Sequence, residues 1–161
     1  MLIKHGMARV VFTARGPIGL SFAGMTEDVH VTEQDGMVTF TVPLITLETG
    51  IWFRDKHMRE RYLETVKYPV ARLQVARSDL IWPVNGPVQV KVKGKLTLHG
   101  VTRAVTVGYE AKGNCHFAQL VASMHINMKV FKIETPEHLG MKVRPGVNIS
   151  LKMGIVDPPS Q

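Results

Sequence analysis

From Pro87 to Gly100 the side chains alternate: Val88, Val90, Val92, Leu96 and Leu98 fall between Gln89, Lys91, Lys93, Lys95, Thr97 and His99. Successive side chains of an extended strand point to opposite faces, so a two-residue period means one dry face and one wet face. The same period runs through Val38, Phe40, Val42 and Leu44, through Ala71, Leu73 and Val75, and through Val101, Val105, Val107 and Tyr109. Two longer sets follow, Leu120, Ala122, Met124, Ile126, Met128 and Val130, then Val147, Ile149, Leu151, Met153 and Ile155. At the front, Ala8, Val10, Phe12 and Ala14 form a further set, followed by stretches around Phe22 and around Val29 and Val31. The pattern amounts to about eight or nine strands, each with one apolar face to bury.

Turn signals separate these sets at Asp35-Gly36, Asn85-Gly86-Pro87, His99-Gly100 and Gly113-Asn114. The chain reverses there at little steric cost, and short gaps make neighbours antiparallel. One short helix is expected near residues 55–64, with Asp55 as its cap, Met58, Tyr62 and Leu63 sharing a face, and an end before Tyr68-Pro69. A second helical turn is expected at 135–139, where Pro136 suits a first turn and Gly140 an end. Without internal repeats, low-complexity tracts or linkers, the 161 residues read as a single domain, 1–161. An antiparallel β-barrel of about eight strands answers the pattern best, since closure removes exposed edges and leaves an interior for side chains or one small ligand. A two-sheet sandwich satisfies the same periodicity.

Charge narrows the function little: 20 basic and 13 acidic residues leave a net +7, which attracts anionic surfaces without selecting among them. No window approaches the ~20 apolar residues of a membrane-spanning helix. Lys4 and Arg9 interrupt the first residues too early for the apolar segment of an export signal. Cys115 is the only cysteine, so an intrachain disulfide is impossible; a small buried or half-buried thiol is expected, with His116 on the opposite face.

Two segments carry a resemblance. Leu47-Glu48-Thr49-Gly50-Ile51-Trp52-Phe53-Arg54-Asp55-Lys56-His57-Met58 resembles the part of the YceI-like family that reads Thr-Gly, a few residues, then Arg-Asp and a helix. Gly94-Lys95-Leu96-Thr97-Leu98-His99-Gly100-Val101-Thr102 is similar to that family's strand with Gly-x-Leu-Thr-x-x-Gly-x-Thr. Tyr68-Pro69-Val70-Ala71-Arg72-Leu73 lies between them like the family's strand after the helix, and Phe131-Lys132-Ile133 with Pro136-Glu137-His138-Leu139-Gly140 extends a looser likeness toward the end. The resemblance implies an extended lipocalin-like barrel that holds a long amphiphile, typically a polyisoprenoid, in an apolar tunnel. It also implies the bacterial periplasm, whereas the front of the chain leaves two alternatives, a cytoplasmic protein or one whose export signal was removed.

Under that expectation Trp52, Phe53, Met58, Tyr62 and Leu63 cap the barrel mouth and wall the tunnel. Phe12, Phe22, Phe40, Leu98, Met124, Ile126, Met128 and Met153 line it from the strands, the methionines adapting to an alkyl chain better than branched residues. The alternative for all of them is ordinary core packing. Arg54 and Arg59 are candidates to hold a polar head group, although Arg54 and Asp55 equally suit fixing the loop to the helix.

Lys91, Lys93 and Lys95, with Arg103 on the next strand, form a basic stripe that suits transient contact with a membrane surface. The stripe has no interleaved aromatic rings, which argues against single-stranded nucleic acid. The seven histidines show neither a His-x-His pair nor a helical metal-ligand spacing, and no serine sits in a Gly-x-Ser-x-Gly setting. No metal, cofactor or catalytic residue is expected. The expected function is non-catalytic binding, transport or sequestration of a polyisoprenoid, isoprenoid quinone or fatty-acid derivative. The alternatives are an enzyme acting on such a lipid, with His57 or His125 as base, and a filled barrel serving as a protein-interaction module.

Overall fold

The computed structural model describes residues 1–138 and 140–158. The alternating segments become β1 (Ile3–Arg15), β2 (Ser21–Thr26), β3 (His30–Gln34) and β4 (Met37–Pro43). After helix α1 (Trp52–His57) come β5 (Val70–Ala76), β6 (Val88–Leu98), β7 (Val101–Gly113) and β8 (Phe117–Asn127). A small pair, β9 (Glu137–His138) and β10 (Met141–Lys142), precedes the last strand, β11 (Gly146–Val156). Nine strands form one antiparallel sheet in the order β2-β1-β11-β8-β7-β6-β5-β4-β3. The tight hairpins rest on paired left-handed residues, Asp35-Gly36 with φ 53° and 76° and His99-Gly100 with φ 55° and 73°. Turns of this hand match the twist of the flanking strands.

The sheet curls into the expected barrel, with β2 and β3 ending the ladder. β2 pairs only with Val10–Arg15 of β1, and β3 approaches β1 without a ladder between them. Side chains bridge the two sides. The Met1 ammonium lies 2.9 Å from Asp157 and 3.9 Å from Glu33, while Arg77 sits 3.2 Å from Glu33 and 2.6 Å from Asp157.

Inside, one buried cluster includes Val38, Val75, Val92, Val107, Tyr109, Leu120 and Met153, and the loop between β5 and β6 closes that end. Trp82 donates its indole N–H to the Asn114 carbonyl at 2.6 Å, and the Tyr109 hydroxyl accepts from Ile81 N at 2.8 Å. The second cluster, with Ala14, Leu44, Leu96, Leu98, Ile126, Phe131 and Val147, occupies the opposite end beneath α1 and the turn after it.

Three local expectations are corrected. The helix starts at Trp52, not near Asp55, because Ile51 is the extended residue before it, and after His57 it widens into a π-helical turn over Met58–Tyr62. Residues 135–138 form no helical turn. Glu137 and His138 pair with Lys142 and Met141 as a hairpin through Gly140 at φ 77°, and Leu139 lies outside the described residues. Cys115 is exposed, because it sits in a tight turn where the Asn114 side chain accepts from the backbone N–H of His116 and Phe117.

Candidate ligand-binding interior

On several strands the inward positions are half-buried near mid-strand, whereas on β6 Val92, Gly94, Leu96 and Leu98 are buried and Val88 and Val90, toward one end, are half-buried. On β1, Val10 and Phe12 are half-buried between buried Ala8 and Ala14; on β11, Ile149 and Leu151 lie so between Val147 and Met153. Met124 on β8 is half-buried between Ala122 and Ile126, as are Phe40 and Val42 on β4 and Leu73 on β5. A packed core hides its centre best, so these half-buried side chains form an apolar belt packed less tightly than the ends. Leu73, Val105 and Met124 pack against both clusters and stand at its waist. These side chains are apolar.

Of the residues singled out from sequence, Phe12, Phe40 and Met124 stand on this belt. Met58, Tyr62, Leu63 and Met128 are half-buried against the second cluster and roof that end. Phe22 is half-buried beneath α1, with the Arg54 guanidinium 5.7 Å from its ring centre. Leu98, Ile126 and Met153 are 8%, 5% and 0% exposed and sit among the buried residues of the two clusters. Trp52 and Phe53 are corrected too: at 76% and 55% exposed they stand outside the wall, because the short α1 turns its first residues to solvent and leaves the contact to Met58 and Tyr62. Val10, Val42, Leu73, Val105, Ile149 and Leu151 were not singled out. They carried the same alternation as the core, which holds no information about depth.

Phe12 shapes the belt through a glycine. A Cβ on Gly24, which pairs with Phe12 across the β1–β2 ladder, would lie 2.3 Å from the Phe12 ring. The bare backbone lets the ring lie flat on its neighbouring strand.

Arg54 and Arg59 are both engaged by the protein itself. Arg54 donates to the Thr49 hydroxyl at 3.0 Å and the Thr49 carbonyl at 3.2 Å, and Arg59 donates to the Leu47 carbonyl at 2.9 Å. Buried Asp55 accepts from Thr49 N at 2.9 Å and from the Thr49 hydroxyl. The Thr-Gly…Arg-Asp segment is therefore a clasp that ties the loop before α1 to the helix. The second segment is structural as well. Gly94 passes within 2.9 Å of the Gln74 carbonyl at its Cβ position, Thr97 and Thr102 share a hydroxyl hydrogen bond of 2.8 Å, and Gly100 lies under the Tyr68 ring.

Among the described residues no group of three or more His, Cys, Asp or Glu side chains is arranged to hold a metal ion. His125, one of the two histidines considered as a base, bonds through Nδ1 to Asn148 Oδ1 at 2.7 Å on the outer face.

Comparison with curated proteins finds no match. Among solved structures, a polyisoprenoid binding domain from Saccharophagus degradans superposes with a TM-score of 0.80 at 15% identity, covering 98% of both chains. BcnA of Burkholderia cenocepacia gives 0.73 at 18% identity over 91% of this chain and 95% of its own. A Campylobacter jejuni YceI protein gives 0.62 at 17% identity over 84% and 85%. The YceI-like domain profile matches residues 3–155. Spanning nearly the whole barrel, that match means that the chain belongs to the YceI-like family.

Proposed function

We propose that this protein binds a long apolar amphiphile, of the polyisoprenoid, isoprenoid quinone or fatty-acid class, inside the barrel and carries or sequesters it without transforming it. The belt of half-buried apolar side chains between two packed ends carries this reading. Phe12, Phe40 and Met124 supply wall, and Met58, Tyr62, Leu63 and Met128 supply roof. Each buried methylene of a tail contributes roughly 0.8 kcal/mol before the cost of ordering the chain. Such walls supply affinity without a reacting group. The name of the Saccharophagus relative, a polyisoprenoid binding domain, supports the same class of ligand.

Native mass spectrometry of the gently purified protein, followed by solvent extraction, tests the reading. A released species with a long hydrocarbon tail, or uptake of added prenyl alcohol by the apo protein at one to one, is the expected result. An apo mass that stays unchanged on adding prenyl alcohols, quinones and fatty acids overturns it. Turnover of the bound lipid would remove the non-catalytic part alone.

A further inference from the structure

Besides the unpaired seam between β2 and β3, the ladder parts between β7 and β8. β7 and β8 pair from Gly113↔Ala118 to Gly108↔Ser123 and then part. β7 runs on along β6 as far as Val101, and β8 runs on along β11 as far as Asn127. Residues 101–107 and 124–127 thus border a slot with no ladder across it. Two crevices of about 460 and 420 Å³ lie along this slot, and Thr106 and His125 line both. The first lies mainly on the outer face, lined by Val11, Thr13, Ser123, His125, Asn148 and Ser150 with inward Met124 and Ile149 also reached; the second brings outer Thr106 and Asn127 together with inner Val105 and Phe131. In the second crevice, outer and inner residues meet on one surface beside the gap between the strands.

A second short ladder sharpens the contrast. β5 and β6 pair over just Arg72–Gln74, but the following loop covers that gap, with Leu80 and Trp82 packed on the core and Pro83 fully buried. At the β7–β8 slot the turn after β8 packs on β7 with Phe131 buried and so covers the far end, while Val130 is left 46% exposed.

The charge at the slot is one-sided. Arg103 pairs with Leu96 across the β6–β7 ladder, so it holds the inward register and does not continue the outward stripe of Lys91, Lys93 and Lys95. It is nevertheless exposed, since β8 has left its side. Its Nη1 donates to the neighbouring Thr102 carbonyl at 2.9 Å. Lys129 is exposed just past the end of β8, and among the described residues neither cation has a carboxylate partner. A guanidinium and an ammonium beside an apolar breach match an anionic phosphate head on an apolar tail.

We infer that the β7–β8 slot is the port through which the apolar tail passes to the belt, and that a phosphate head group stays at its mouth on Arg103 and Lys129; this rests on the binding function proposed above. The tail passes between Val105 and Met124, the half-buried pair at the waist.

Binding of geranylgeranyl phosphate, geranylgeraniol and inorganic phosphate to the wild type and to the Arg103→Glu/Lys129→Glu variant tests the head-group site. The variant is expected to weaken the prenyl phosphate by at least about tenfold and leave the alcohol unchanged, the size of a lost charge-assisted contact. Equal affinity of both proteins for the phosphate, equal losses for phosphate and alcohol, or tight binding of inorganic phosphate alone overturns it. Failure of the wild type to bind either prenyl compound defeats the binding function itself, and the port with it. A bulky maleimide on Thr106→Cys, in a Cys115→Ser background, should slow uptake of geranylgeraniol, whereas the same label on Ser78→Cys should not; equal uptake rates rule out the port.

Discussion

Glu64 and His99, 35 residues apart in the chain, meet at 2.5 Å between Oε2 and Nε2, while His99 Nδ1 lies 3.1 Å from the Phe131 carbonyl. One imidazole therefore fastens the segment after α1, the β6–β7 hairpin turn and the turn after β8. The Tyr68 ring covers it with centroids 4.7 Å apart. Replacing it by alanine leaves the Phe131 carbonyl without this partner, gives the exposed Glu64 carboxylate to water and loosens the roofed end of the barrel. His99→Ala should cost about 1–3 kcal/mol. Urea unfolding midpoints measure this, and an unchanged midpoint would show that the contact contributes nothing.

The Thr49 clasp should behave likewise. Thr49→Val removes the hydroxyl that bonds both Asp55 and Arg54, leaving the buried Asp55 carboxylate with the Thr49 backbone N–H. A loss of about 1–3 kcal/mol is expected, with Thr49→Ser close to wild type. Equal stability of the valine and serine variants would refute the clasp.

Gly24→Ala drives a methyl group into the Phe12 ring. Overpacking of this kind typically costs about 1–3 kcal/mol. Adding Phe12→Leu should recover part of that loss, and a double-mutant cycle that comes out additive would mean that the two positions do not touch in solution.

Leu73→Trp fills the waist between the two clusters. Prenyl alcohol affinity should fall by at least about tenfold while the folded barrel persists by circular dichroism. Affinity kept at the wild-type level would place the ligand elsewhere.

Asp157 gives the pH dependence its sign. The hydrogen bond from the Met1 ammonium, aided by the charge of Arg77, holds its carboxyl below the usual carboxylate range against a smaller opposing effect of burial. Its stabilising contribution is therefore complete above the ordinary aspartate range and disappears as pH falls through the lowered value. Asp157→Asn should be less stable than wild type at neutral pH, with the difference shrinking in acid. A gap between their urea midpoints that stays constant down to strongly acidic pH would exclude this contribution.

The strands were legible because burial on one face writes itself into every second residue: Val88 to Leu98 became β6, and Val147 to Ile155 became β11, without knowledge of any partner. The hairpin at His99-Gly100 was legible from turn chemistry, since a glycine relieves the left-handed backbone there. Depth was not legible. Met124 and Met153 share the same inward alternation, yet one lines the belt half-buried and the other is 0% exposed, because accessibility depends on which strands curl over a position.

Local sequence thus determined most of the strands, their apolar faces, the antiparallel pairing across short turns and the two glycine-bearing segments. The tertiary structure alone decided that Arg54 serves the clasp, that Trp52 faces solvent, and that Arg103 reaches a gap from an inward register. The physical reason is the range of the interactions. Periodicity and turn geometry act between neighbours in the chain, whereas the half-buried belt, its roof and the β7–β8 slot arise from how far strands distant in sequence stay paired before they part.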